Sequence, residues 1–84
     1  MRYKIIYTNR AVRDISKLNP SARERLRETL EKYVETPLNY ARKMVDPRLG
    51  TYRFRIGDYR VIFDIEGEEL IILRLGHRRE IYRG

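Results

Sequence analysis

Three arginines around a Gly-Asp pair are the residues of this 84-residue chain with the most evident chemistry. Arg53 and Arg55 precede Gly57-Asp58, and Arg60 follows it. Arginine keeps a permanent positive charge and forms paired hydrogen bonds with the oxygens of a phosphate. The spacing therefore indicates a site that binds an anionic ligand.

A second group of candidate residues lies near the C-terminus. Histidine often transfers protons near neutral pH, so His77 is the candidate general acid or base, although a lone histidine is more often structural. Arg78 and Arg79 add positive charge that can contact a phosphate. Tyr82 is either a side chain on which a nucleic-acid base stacks or an aromatic residue that packs against the core at the end of the chain. We expect Gly76 to break the preceding strand and bring His77 and Arg78 around the edge of the sheet.

The charge balance supports binding to a polyanion. Nineteen Lys and Arg residues, of which fifteen are Arg, stand against twelve Asp and Glu residues, for a net charge of +7. A basic small domain of this kind suggests a nucleic acid or an acidic protein as partner. The alternative is a surface that is highly charged throughout, as in thermophilic proteins, and binds no polyanion.

Several classes of site and location are excluded or disfavoured by the composition. The chain has no cysteine and one histidine, which excludes disulfides, thiolate metal sites and sites built from several histidines. No cofactor or metal is predicted. No apolar run approaches the ~20 residues of a membrane span, and no signal peptide is visible. We therefore predict a cytoplasmic protein that does not contact membranes.

The length allows one domain, residues 1–84. Alternation of polar and apolar residues predicts strands, and apolar residues at helical spacing predict helices. Thr8 or Asn9 can cap the first helix, and Asn19 with Pro20 suits the start of the second, with Ser21 and Glu24 as an alternative capping box.

The fold class is α+β in the order β-α-α-β-β-β, with two helices on one face of a small, mainly antiparallel four-stranded sheet. The predicted segments are a strand at Tyr3–Tyr7, helices through Ala11–Leu18 and Pro20–Thr36, an irregular connector at Leu38–Gly50, and strands at Tyr52–Ile56, Tyr59–Ile65 and Leu70–Leu75, the last interior to the sheet.

The register of the predicted hairpin determines which face the arginines share. A type II′ turn at Gly57-Asp58 sets Arg55 opposite Arg60. Alternation along the strands then puts Arg53, Arg55 and Arg60 on the open face of the sheet, away from the helices. Like charges directly opposite each other are destabilising, which favours an anionic ligand at this face. The alternative is that an acidic residue such as Asp64 neutralises the cluster.

Two segments carry a resemblance to a known family. The run from Gly50 to Phe63 resembles the hairpin signature of the RelE/ParE toxin superfamily. The run from Leu73 to Tyr82 resembles the C-terminal signature of that superfamily and is closer to its RelE branch. The resemblance implies a RelE-like fold with the strand order first-fourth-third-second. It also implies the toxin of a type II toxin–antitoxin system, a ribosome-dependent mRNA endonuclease.

The resemblance also implies roles for individual residues. Arg53, Arg55 and Arg60 match positions that hold the scissile phosphate, while Arg78 and Tyr82 match the C-terminal catalytic positions. Well-studied RelE enzymes carry lysines where Arg53 and Arg55 stand, and arginine cannot act as a general base. The implied partners are a small acidic RelB-like antitoxin, the ribosome and mRNA, with a toxin–antitoxin heterotetramer as a candidate assembly.

The predicted reaction is attack of an RNA 2′-hydroxyl on the adjacent phosphate, without a metal ion. The catalytic candidates are Arg53, Arg55, Arg60, His77, Arg78 and Tyr82, and the RNA-binding candidates are Arg53, Arg55, Arg60, Arg78 and Arg79. Two alternatives stay open. The first is a ParE-like inhibitor of DNA gyrase without nuclease activity, and the second is a degenerate relative that only binds RNA.

Overall fold

The computed structural model of the chain describes residues 2–46 and 48–81. The predicted α+β class is confirmed, but the sheet has five strands where four were predicted. The elements in chain order are β1 (Lys4–Tyr7), α1 (Asn9–Ser16), α2 (Pro20–Tyr33), a 3-10 helix (Pro37–Asn39), β2 (Ala41–Lys43), β3 (Tyr52–Ile56), β4 (Tyr59–Glu66), β5 (Glu69–His77) and α3 (Arg78–Ile81).

The strands form one sheet in the order β1-β5-β4-β3-β2. β1 runs parallel to β5, and the other neighbours are antiparallel. The order is the predicted one with β2 added at the edge, and β5 is interior as predicted. β2 lies in the segment that was predicted to be irregular. Its three residues have no β-branched side chain, so pairing with β3 rather than local propensity makes them a strand.

Both long helices begin where their capping residues predict. The Thr8 hydroxyl accepts a hydrogen bond from the Ala11 N–H, and the Asn19 side chain accepts one from the Ala22 N–H. The cap of α2 is therefore Asn19 rather than the alternative box at Ser21. α2 ends at Tyr33, earlier than the predicted end at Thr36.

The early end of α2 follows from a long-range contact. Val34 is 1% exposed, and its carbonyl accepts a hydrogen bond from the Tyr3 N–H at 3.1 Å. The chain therefore leaves the helix at Val34, where the Val34 side chain is buried and its carbonyl is hydrogen-bonded to the residue before β1.

The main core lies between the two long helices and one face of the sheet. Phe54 of β3 and Phe63 of β4 are fully buried, with ring centroids 4.3 Å apart. They pack with Leu26 and Leu30 of α2, and with Ala11 of α1. The predicted alternation of the hairpin thus delivers its aromatic residues to the helix side of the sheet.

The opposite face of the sheet is partly covered. Ile62 faces away from the helices, opposite Arg53, yet it is fully buried. Residues 48–51 cross this region, where Gly50 has φ +149° and a Cβ added to it would meet the Ile62 side chain at 2.5 Å. Only glycine fits both this backbone conformation and this close approach.

β5 does not break at Gly76, so that prediction is wrong. The strand continues to His77 because β4 supplies partners along its whole length: Arg60 lies opposite Gly76, and Tyr59 lies opposite His77. α3 follows the strand directly. In the parts of the chain that the structure describes, no helix is long and apolar enough to cross a membrane.

Candidate functional site

The sheet face opposite the helices carries the predicted arginines. Arg55 lies opposite Arg60 and Arg53 lies opposite Ile62, which is the predicted register. A fourth arginine, Arg42 of β2, lies opposite Arg53 and so joins the same face. We call the surface formed by Arg42, Arg53, Arg55 and Arg60 the arginine face.

Arg55 is the most available of the three predicted arginines. Its side chain is exposed, and Arg53 beside it is half-buried. Arg55 has no ion-pair partner within residues 2–46 and 48–81. Asp64, considered as a neutralising residue, accepts a hydrogen bond from the Thr51 N–H at 2.8 Å. The guanidinium of Arg55 can therefore donate two hydrogen bonds to a phosphate.

Arg60 differs from the expectation that all three arginines lie open to solvent. It is 4% exposed, and its Nη1 donates to the carbonyl oxygens of Gly57 and Tyr59, each at 2.9 Å. Gly57 has φ +60° while Asp58 has negative φ, as a type II′ turn requires. Arg60 thus stabilises the turn between β3, which carries Arg55, and β4. Its contact with a ligand stays a prediction.

Arg42 was missed by the sequence analysis. It stands in a three-residue strand, which is too short for alternation to be recognised, and nothing local indicates its face. Pairing with β3 alone decides that Arg42 faces the same side as Arg53, while the next residue, Lys43, lies opposite Tyr52 and faces the helix side. The arginine face therefore reaches the edge of the sheet.

Arg78, the first of the C-terminal arginines, lies next to the hairpin turn. The backbone N–H of Arg78 donates to the Asp58 carbonyl at 2.8 Å, and its Nε lies 3.9 Å from Asp58 Oδ1. The side chains of Arg78 and Arg79 are exposed. The structure thus brings Arg78 to the turn between Arg55 and Arg60. Tyr82 lies outside the described residues.

His77 is not brought to the arginine face. It lies opposite Tyr59, with the two ring centroids 5.8 Å apart, and shares the helix side of β5 with the core residue Leu75. Its Nδ1 accepts a hydrogen bond from the Arg79 N–H at 3.1 Å, at the start of α3. A role for His77 in proton transfer stays a prediction.

One buried carboxylate was not among the predicted site residues. Asp14 of α1 is 7% exposed, and its Oδ2 accepts hydrogen bonds from Arg74 Nε and the Leu75 N–H. Its position three residues after Ala11 and four before Leu18, on the apolar stripe of the first helix, is the signal that could have revealed it. Asp14 ties α1 to β5 and so supports the sheet from the edge opposite β2.

Comparison with known proteins agrees with the geometry. The family model described as "ParE toxin of type II toxin-antitoxin system, parDE" matches residues 5–82. The chain belongs to the RelE/ParE family of type II toxins. Within that family it is RelE-like, because it is 33% identical over 86 aligned positions to toxin RelG of Mycobacterium tuberculosis, with 99% of each chain covered.

Two further relatives agree with this placement. Toxin RelE3 of Methanocaldococcus jannaschii is 25% identical to this RelE-like toxin over 83 positions, with 94% of each chain covered. The toxin also resembles a chain in the crystal structure of the toxin-antitoxin complex RelBE2 from Mycobacterium tuberculosis. That match has a TM-score of 0.83 and 28% identity, and covers 93% of this chain and all of the other.

Proposed function

We propose that this RelE-like toxin is an endoribonuclease that cuts mRNA on the ribosome. The observation that carries the proposal is the exposed guanidinium of Arg55, which has no ion-pair partner in the described chain and stands on the hairpin whose turn contacts Arg78. A sheet face that concentrates permanent positive charge suits the phosphate backbone of a single RNA strand.

The proposed reaction uses the nucleophile that RNA itself provides. A 2′-hydroxyl loses its proton and attacks the adjacent phosphorus, and the 5′-oxygen of the next nucleotide leaves and takes up a proton. The product ends are a 2′,3′-cyclic phosphate and a free 5′-hydroxyl. Negative charge builds on the non-bridging phosphate oxygens in the transition state, where Arg53, Arg55 and Arg78 are suited to stabilise it without a metal ion.

Arginine determines what this site contributes to the rate. Because arginine stays protonated, Arg53 and Arg55 act through charge and positioning and not as general bases. Positioning of the message by the ribosome complements them, since in-line geometry of the attacking oxygen is a large part of the barrier.

The proposed regulator is a small acidic antitoxin. The RelBE2 protein of Mycobacterium tuberculosis was solved as a toxin-antitoxin complex. A RelB-like partner with carboxylates near Arg53, Arg55 or Arg78 would compete directly with RNA for the arginine face, and a heterotetramer is the proposed assembly. The net charge of +7 favours such a partner.

The test compares Arg55→Ala with Arg13→Ala in a reconstituted translation reaction read by primer extension. Both substitutions remove one exposed arginine, but Arg13 lies on α1, away from the arginine face. Losing one charge-assisted phosphate contact costs about 1.5–3 kcal/mol, so Arg55→Ala should cut message about 10–100-fold more slowly. Arg13→Ala should cut at the wild-type rate.

Other outcomes distinguish the alternatives. Intact message together with trapped gyrase cleavage complexes would support the ParE-like function instead. Intact message, no effect on gyrase and measurable RNA binding would support the degenerate RNA-binding relative. Equal cleavage by wild type and Arg55→Ala would contradict the assignment of the arginine face.

A further inference from the structure

The edge strand β2 places two cations next to each other in the chain on opposite faces of the sheet. Arg42 lies opposite Arg53 on the arginine face, while Lys43 lies opposite Tyr52 on the helix side. Both side chains are exposed. Both carry one positive charge on the same strand and are exposed, but Arg42 lies on the arginine face and Lys43 lies on the opposite face of the sheet.

Arg42 adds a positive charge directly opposite Arg53 in the sheet. Like charges directly opposite each other in an antiparallel pair destabilise the sheet. No carboxylate within residues 2–46 and 48–81 lies at ion-pair distance from Arg42. In the cross-strand pair of Arg55 with Arg60, the buried Arg60 donates to the turn carbonyls. Arg42 has no such internal acceptor among the described residues, so an anion from outside is the group that would balance it.

The position of Arg42 also has a direction. Neighbouring strands are about 4.8 Å apart, so a row of side chains across β3 and β2 advances by that distance per strand. An extended polyanion held by Arg53 and Arg55 meets Arg42 next if it leaves the sheet over the β2 edge. A charge at an edge strand also discourages edge-to-edge pairing, but Lys43 would serve that purpose equally.

We propose that Arg42 binds a backbone phosphate of single-stranded RNA next to the phosphate held by Arg53 and Arg55. The RNA then crosses the arginine face and leaves it over β2. This inference rests on the proposed function and adds to it a contact outside the reacting phosphate.

The experiment measures binding of a single-stranded RNA oligonucleotide that is 2′-O-methylated at every position, so that no cleavage can occur. Dissociation constants of the wild type, Arg42→Ala and Lys43→Ala are compared over a series of salt concentrations. Each phosphate contact with a single strand contributes about 0.7 to the slope of log K against log salt concentration. Arg42→Ala should reduce the slope by about that amount and weaken binding, while Lys43→Ala should keep the wild-type slope.

A second measurement uses ribosome-bound message. Arg42→Ala should raise the toxin concentration that gives half-maximal cleavage, and Lys43→Ala should not. Urea unfolding of both variants checks that the edge strand is intact. An equal loss of RNA affinity in Arg42→Ala and Lys43→Ala would mean that only net charge matters. An unchanged salt slope for Arg42→Ala would mean that RNA does not reach β2. Either result overturns the inference.

Arg55→Ala separates this inference from the proposed function. If Arg55→Ala weakens binding and Arg42→Ala does not, the RNA path over β2 is wrong while the arginine face stands. If neither variant changes RNA binding or cleavage, both the path and the assignment of the arginine face fail, whereas the proposed function itself fails only if the wild-type protein leaves ribosome-bound message intact.

Discussion

Asp14 on α1 accepts a hydrogen bond from Arg74 Nε on β5 at 2.9 Å. The same carboxylate oxygen accepts the backbone N–H of Leu75 at 3.1 Å. β1 pairs with β5 only as far as Tyr7 and Ile72, so beyond that point α1 takes over the edge of β5. The Asp14 carboxylate, together with the Thr8 hydroxyl that donates to the Leu73 carbonyl, therefore takes the place of a strand neighbour.

Removing this carboxylate should destabilise the fold. Asp14→Ala leaves the Leu75 N–H without its acceptor and Arg74 without its ion pair, at a cost of about 1–3 kcal/mol in the free energy of unfolding. Urea unfolding followed by circular dichroism measures the loss. Asp46→Ala is the control, because Asp46 accepts hydrogen bonds from the exposed Arg48 in a loop, where water screens the ion pair and its contribution to stability is small. Equal losses in the two variants would contradict the structural role of Asp14.

Arg60→Ala should lower stability as well as activity. The substitution removes both hydrogen bonds to the turn carbonyls of Gly57 and Tyr59, and we expect a loss of about 1–3 kcal/mol in the free energy of unfolding. Arg55→Ala, on the same hairpin but exposed, should unfold at the wild-type urea concentration. If Arg60→Ala is as stable as Arg55→Ala, then Arg60 does not hold the turn.

His77→Gln should leave the shape of the pH–rate profile unchanged. The imidazole lies on the helix side of β5, and its observed contact is with the Arg79 N–H at the start of α3. We expect a rate loss well below the ~10²–10⁴-fold that removal of a general acid or base causes. Single-turnover cleavage measured across a pH series tests this. A lost limb in the profile would instead support the proton-transfer role predicted from the sequence.

Arg27 should make stability depend on pH through Glu24. Side-chain hydrogen bonds from Arg27 lower the pKa of Glu24 below its ordinary value of 4.5. Because the folded pKa is the lower one, the stabilising contribution is present above pH 4.5 and is lost as the pH falls through the folded pKa. Both side chains are exposed, so the effect is small.

The measurement is the difference in urea midpoint between the wild type and Arg27→Ala at a series of pH values. This difference should shrink as the pH falls below the lowered pKa of Glu24. Arg23→Ala, which removes an arginine of the same helix that donates to the Leu18 carbonyl, should show a difference that does not follow this titration. A pH-independent difference for Arg27→Ala would contradict the coupling.

The hairpin shows how much of this protein could be predicted from local sequence. Gly57-Asp58 determines the turn type, and the turn type determines that Arg55 lies opposite Arg60. Alternation then assigns Phe54 and Phe63 to the core and the arginines to the other face. These features follow from the sequence because each depends on residues within a few positions of one another.

What only the tertiary structure decided depends on segments far apart in the chain. The face of Arg42 is determined by pairing with β3, and the side of His77 by pairing with β4. The burial of Ile62 requires Gly50 to cross the sheet, and Asp14 finds its acceptor role sixty residues away, at Arg74. Local propensity and charge pattern carry no information on such contacts, because their energies arise only when the strands and the first helix are assembled.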